Sequence, residues 1–209
     1  MSKNINNDNN SSANFSLPFG ISSDGTYVWV ANYGTIGTDG SVTQINASTG
    51  IVVRIINDSS ANFNYPYAIS SDGNNVWVAN YGNTSTNGSV TQINASNGIV
   101  VRIINNTSAN FSLPTAISSD GTNVWVANYG TNGTDGSVTQ INASTGNVVR
   151  NITSPNFNYP YAISSVGIYV WVANYGTTNS NGSVTQINAS TGNVVRNIIN
   201  NNTLTSPNF

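Results

Sequence analysis

There is no cysteine, no histidine and no glutamate anywhere in this 209-residue chain. Without cysteine there is no disulfide framework, and thiol usage says nothing about the redox compartment. Without histidine, cysteine or glutamate the commonest general bases, the thiol nucleophile and the usual zinc and iron ligands are missing. Charge is scarce too: 6% of residues are charged, the net charge is −2, and the basic side chains are Lys3, Arg54, Arg102, Arg150 and Arg196. So dispersed a set of cations is no footprint for nucleic acid or an anionic membrane, and no nucleic-acid partner is expected. No window approaches the roughly 18 apolar residues of a membrane span, so no such span is expected. The opening "MSKNINNDNNSSANF" has one lysine and no apolar run, so no signal peptide is visible as written.

What is present is repetition. The stretch "VWVANYG" occurs four times, centred on Trp29, Trp77, Trp125 and Trp171, at spacings of 48, 48 and 46, and these are the only tryptophans. Around each copy lie four short segments, which in the second unit read "YPYAISSDG", "NNVWVANYG", "NGSVTQINAS" and "NGIVVRIIN". All are rich in Val, Ile, Thr and aromatics and bounded by Gly, Asn, Asp or Pro, which is the composition of strands. Ser-Asp-Gly at 23–25, 71–73 and 119–121, and Ser-Thr-Gly or Ser-Asn-Gly further on, supply the turns that join antiparallel neighbours. No segment keeps apolar residues at helical spacing for three turns, so helix should be nearly absent.

Strand two predicts how the units meet. In "YVWVANY", Tyr27, Trp29, Ala31 and Tyr33 face one side and Val28 and Val30 the other. Both faces are largely apolar, and a small sheet of that kind must be sandwiched between neighbours. The expected fold is therefore all-β, a β-propeller-like array of four four-stranded antiparallel blades. The boundaries read as a polar tail at 1–14, blades at 15–62, 63–110, 111–156 and 157–199, and a linker-like segment at 200–209.

The pattern "P-x-A-I-S-S-D-G-x-x-V-W-V-A-N-Y-G…G-S-V-T-Q-I-N-A-S-T-G-x-V-V-R-x-I" resembles the YVTN-type β-propeller repeat, from about Leu17 to Ile199. The resemblance implies a fold and hardly a function, since related propellers serve as surface-layer components, as binding scaffolds and, in virginiamycin B lyase, as an enzyme. That lyase uses histidine and glutamate, which this chain lacks, so its activity is not implied. Four copies are also fewer than the family's usual complete ring.

Two patterns bear on assembly. Copies one and three share "NFSLP" and "TDGS", whereas copies two and four share "NFNYPY" and "NGS", as if a two-blade unit had been duplicated. The linker also recurs at both ends, as "SSANF" at 11–15 and "TSPNF" at 205–209, which makes five linkers for four blades. Completion by a second molecule, as a ring or a filament, is favoured over monomeric closure, with Phe15 and Phe209 as interface candidates.

The search for chemistry yields little. The seven acidic residues are Asp8, Asp24, Asp39, Asp58, Asp72, Asp120 and Asp135. Asp24, Asp72, Asp120, Asp39 and Asp135 each precede a glycine, which reads as turn chemistry rather than a paired-carboxylate or calcium site. The fourth copy has Val166-Gly167 where three others have Asp-Gly. No catalytic residue, metal ligand or cofactor is expected, and the chain is read as no enzyme. Trp29, Trp77, Trp125 and Trp171 read as core, wedged between sheets. Asn32, Tyr33, Asn80, Tyr81, Asn128, Tyr129, Asn174 and Tyr175 lie at the end of strand two and are the candidates for binding glycans by stacking, with capping of the strand by the asparagines as the structural alternative. Arg54, Arg102, Arg150 and Arg196 hold one position on the fourth strand, where a lone charge discourages edge-to-edge pairing; an interface role is the other reading. Asn46, Asn94, Asn142 and Asn188 head Asn-x-Ser/Thr sequons and are glycosylation candidates in an exported protein. The leading expectation is a non-enzymatic structural or assembly protein, on a cell or virion surface or outside the cell; the alternative is a lectin-like propeller.

Overall fold

The structure is a computed structural model that describes residues 13–35, 40–83, 87–177 and 181–199. It holds four sheets of four antiparallel strands, each with its strands in simple meander order. The first is β1 (Pro18–Ser23), β2 (Tyr27–Asn32), β3 (Ser41–Asn46) and β4 (Val52–Ile56). The second is β5 (Pro66–Ser71), β6 (Asn75–Asn80), β7 (Ser89–Asn94) and β8 (Val100–Ile104). The third is β9 (Pro114–Ser119), β10 (Asn123–Asn128), β11 (Ser137–Asn142) and β12 (Val148–Thr153). The fourth is β13 (Pro160–Val166), β14 (Tyr169–Asn174), β15 (Ser183–Asn188) and β16 (Val194–Ile199). Among the described residues the helical content is two single 3₁₀ turns, Ser59–Ala61 and Thr107–Ala109, both in linkers.

The turns form for local reasons. Asp24 Oδ1 accepts the amides of Thr26 and Tyr27 at 2.9 and 2.8 Å, which folds β1 back onto β2. Asn46 Oδ1 accepts the amides of Ser48 and Thr49 and both their hydroxyls, at 2.8–3.1 Å, and so closes the turn from β3 to β4. The same arrangement recurs at Asn142 and Asn188, and at Asn94 without the second hydroxyl, since Asn97 stands where the others have threonine. These four sequon asparagines are therefore turn-forming residues at exposed corners.

The first strands set the order of the blades: β1 packs on β5, β5 on β9 and β9 on β13. Among the described residues β13 makes no comparable packing against β1, so the four blades form an open run. Between blades the core is alternating. Trp29 and Ala31 of the first blade meet Ile69, Val76 and Val78 of the second. Trp77 and Ala79 of the second meet Ile117, Val124 and Val126 of the third, and Trp125 meets Val170 and Val172 of the fourth. Every blade thus presents a tryptophan face forward and a valine face backward, as the alternation in strand two requires.

Candidate functional sites

Within each blade the asparagine that ends the second strand is buried, and its amide donates to two hydroxyls on the third strand. Asn32 Nδ2 donates to Ser41 Oγ at 3.1 Å and Thr43 Oγ1 at 3.0 Å, and the Thr43 hydroxyl donates on to the Ala13 carbonyl at 2.8 Å. Asn80 and Asn128 repeat the chain through Thr91 to Ala61 and through Thr139 to Ala109. Asn174 donates to Ser183 and Thr185 likewise. These asparagines tie the linker to the blade, and it is the tyrosines beside them that reach the surface.

The tyrosines converge. Tyr65 and Tyr159 stand at positive φ, 56° and 55°, immediately before a proline. That sparsely populated backbone is held by the amides of Tyr81 and Tyr175, which donate to the carbonyls of Tyr65 and Tyr159 at 2.9 Å. The bend brings Tyr65 to 4.7 Å from Tyr33 and Tyr159 to 4.5 Å from Tyr129, centroid to centroid. Phe19 and Tyr67 meet in a tilted pair with centroids 4.4 Å apart, and Tyr67 and Tyr161 join the second blade to the fourth by hydroxyls 2.9 Å apart. An open cavity of about 810 Å³ lies beside Tyr33, Tyr65 and Tyr81, lined also by Leu17, Leu113, Gly34 and Gly82. Burial raises the pKa of the Tyr33, Tyr81, Tyr129 and Tyr67 phenols, with neighbouring phenols adding to the effect. They are neutral donors and stacking surfaces at physiological pH, not bases. The mouth holds no charged side chain among its wall residues.

A second set of contacts runs between blades. Gly40, Gly88 and Gly136 lie under Pro66, Pro114 and Pro160 of the following blade, where an added Cβ would stand 2.2–2.5 Å from the proline ring. Asp24 Oδ2 accepts the Trp29 indole N–H at 3.0 Å and the Ser71 hydroxyl of the second blade at 2.9 Å. Asp72 repeats this with Trp77 and Ser119, while Asp120 accepts from Trp125. Burial alone would raise the Asp24 pKa, but hydrogen bonds from Tyr27, Trp29, Ser71 and Thr26 outweigh it and hold the carboxyl below its ordinary value. These aspartates do make the turns, and beyond that they join tryptophan to the next blade. The sequence mark of this contact is an aspartate five residues before tryptophan, present in three copies and replaced by Val166 in the fourth.

The arginines sit on the outermost strand of each sheet and reach across to the next blade. Arg54 Nη2 donates to the Ser96 carbonyl of the second blade at 3.2 Å, Arg102 to Ser144 at 3.2 Å and Arg150 to Ser190 at 3.0 Å. Each arginine side chain lies over the glycine of the next blade's turn, Gly98, Gly146 and Gly192, where an added Cβ would stand 2.5–2.7 Å from its Cδ. The arginine of the fourth strand is thus an inter-blade contact in the first three blades, and Arg196 of the fourth is exposed.

The two end faces lack what the inner ones have. On the first blade Ile21 is 71% exposed, against 7% for Ile69 and Ile117, and Pro18 and Ala47 are exposed where Pro66, Pro114, Ala95 and Ala143 are buried. On the last blade Trp171 is half-buried and Ala173 exposed, whereas Trp29, Trp77, Trp125 and Ala31, Ala79, Ala127 are fully buried. Three of the four tryptophans are therefore core, and the fourth lines an apolar surface. Phe15 is half-buried beside the first blade; Phe209, Asp8 and Asp39 lie outside the described residues. Among the described residues no three carboxylates gather.

Solved structures with this architecture exist. Kuenenia stuttgartiensis hydrazine synthase superposes with a TM-score of 0.68 at 23% identity, over 89% of this chain and 50% of that one. BamB from Moraxella catarrhalis gives 0.53 at 16%, over 86% and 51%, and apo AztD from Citrobacter koseri 0.57 at 10%, over 87% and 46%. BamB and AztD are β-propeller proteins. The four sheets are β-propeller blades. No family model matches the chain, and no curated protein sequence does. The chain spans about half the length of the structures it resembles, and at these identities the likeness speaks for the fold alone.

Proposed function

We propose that this is a non-enzymatic structural protein, built from YVTN-type propeller repeats, whose task is to assemble with further copies of itself. The observation that carries the reading is the pair of end faces: an exposed isoleucine-and-proline face on the first blade, and on the last a half-buried tryptophan beside an exposed alanine and an exposed arginine. Each is half of a joint that occurs three times inside the chain. Exposed apolar faces of that extent mark association surfaces, and complementary faces at opposite ends join head to tail. The scarcity of catalytic side chains fits the same reading. The test is the mass in solution, by light scattering across a hundredfold dilution series. Species larger than the 21.9 kDa chain support assembly, and a monomer at every concentration removes it.

One observation favours a second reading, a lectin-like site. The uncharged tyrosine-walled cavity offers aromatic faces and phenol donors, which suit the apolar face and hydroxyls of a neutral sugar. Glycan-array binding that disappears in Tyr33→Ala and Tyr81→Ala would support it; a blank array would remove it.

A further inference from the structure

We propose that two copies of the chain close head to tail into one ring of eight blades, the last blade of each seated on the first blade of the other. This rests on the self-association reading above and fixes its partner, its joint and its stoichiometry.

The joint can be written from the three inside the chain. Each internal joint sets a glycine under a proline, a tryptophan against an isoleucine and an arginine on a serine carbonyl, as in Gly88 with Pro114, Trp77 with Ile117 and Arg102 with Ser144. The same positions at the free ends are Gly182, Trp171 and Arg196 on the last blade, and Pro18, Ile21 and Ser48 on the first. Gly182 has no proline over it, Arg196 is exposed, and Pro18 and Ile21 are uncovered. Placing the two ends together supplies every one of these missing partners with a residue of the type already used three times. Val166 does not break the pattern, because the joint between the third and fourth blades also runs without an aspartate–serine bond: Ser165 bonds Ser118 instead.

Eight follows from closure. Among the described residues the four blades do not close on themselves, since β13 makes no packing against β1 comparable with that between neighbouring blades. Propellers close at about four to eight blades, and copies of a four-blade run can close only at multiples of four. Eight is the multiple that remains.

The experiment measures mass by light scattering and sedimentation on the full chain, alongside Ile21→Glu and Ala173→Glu. Both variants place a carboxylate on an exposed position of one end, so the blades themselves should fold, checked by unchanged circular dichroism. The wild type is expected at twice 21.9 kDa, without larger species as concentration rises. Each variant alone should fall to the single-chain mass, its dissociation constant raised at least about a hundredfold by a buried unpaired charge. Mixed together, the two variants retain one intact joint and should recover a two-chain species that dissociates more readily than the wild-type ring, since one joint replaces two. Wild type at four or more chains, or filaments, overturns the ring while leaving self-association standing. Wild type at 21.9 kDa overturns both. A dimer that survives Ile21→Glu would show last blade meeting last blade and would also overturn the proposal.

Discussion

The third and fourth blades carry the same "VWVAN" strand, "SVTQINASTGNVVRNI" run and linker composition, yet their tryptophans live in different places. Trp125 is fully buried, packed on Val170 and Val172 of the next blade, with its indole N–H on Asp120. Trp171 is half-buried, and the residue five before it is Val166, which offers no acceptor. Ala127 and Val138 are likewise fully buried, while Ala173 is exposed and Val184 is 37% exposed. Strand sequence fixes which face a side chain takes; the neighbouring blade decides whether that face is core or surface.

Truncating the two tryptophans is the strongest way to probe this contrast. Trp77→Ala removes a fully buried ring and should destabilise the chain by about 3–5 kcal/mol, whereas Trp171→Ala should cost the dissociated chain roughly half of that or less. Urea denaturation, with both substitutions made in the Ile21→Glu background so that no joint forms, reads the difference. Equal losses would mean that the fourth blade is covered by some other part of the chain.

Glycine gives a smaller version of the same contrast. Gly88→Ala drives a Cβ to 2.3 Å from the Pro114 ring, and both Gly88 and Gly182 also face their own blade's carbonyl, at 3.0 and 2.9 Å. The proline term is therefore the difference between them. Gly88→Ala should cost about 1–3 kcal/mol more than Gly182→Ala in a chain held as a monomer, seen as a lower Tm. In the associated protein the order of effects on mass reverses, because Gly182→Ala then strikes the joint.

Much of this was legible in the chain before any coordinates. Four copies of "VWVANYG" with apolar residues on both sides of the strand require stacked sheets, and the asparagine and aspartate turns announce where each strand ends. Contacts between repeats were not legible in the same way. Arg54 meets a carbonyl 42 residues away and Gly40 sits under a proline 26 residues on, and period-two patterning within a strand carries no information about either. Nor did the sequence reveal that Asn32 turns inward to two hydroxyls while Tyr33 turns outward, or that Tyr65 and Tyr159, in linkers, bend back over the Asn-Tyr-Gly tyrosines. Repeats multiply each pairwise contact, so one residue type at one position becomes three or four joints at once.

The arginines should separate inner from outer blades more weakly. Arg102→Ala gives up one partly exposed bond to the Ser144 carbonyl and should lower stability by about 0.5–1.5 kcal/mol. Arg196→Ala should change the dissociated chain by less than about 0.5 kcal/mol. A loss at Arg196 as large as that at Arg102, in denaturation of dilute protein, would mean that Arg196 already has a partner within its own chain.

The smallest expected effect is also the one with a signature of its own. Val166→Asp restores to the fourth blade the carboxylate that the other three place five residues before tryptophan, and gives the Trp171 indole an acceptor. In the first blade that carboxyl is held below its ordinary pKa, so the stability it contributes is present above the unfolded value near 3.8 and is lost as pH falls through the lower folded value. An aspartate at 166 that makes the same bonds inherits that sign: the variant should gain a few tenths of a kcal/mol at neutral pH and lose the gain on acidification below about pH 4. A gain that persists at pH 3 would have to come from replacing an exposed valine, which is 63% accessible, and not from the indole bond. The partner serine would be Ser23 of a second copy, so a larger gain in the associated protein than in the Ile21→Glu monomer would place the new carboxylate inside the joint.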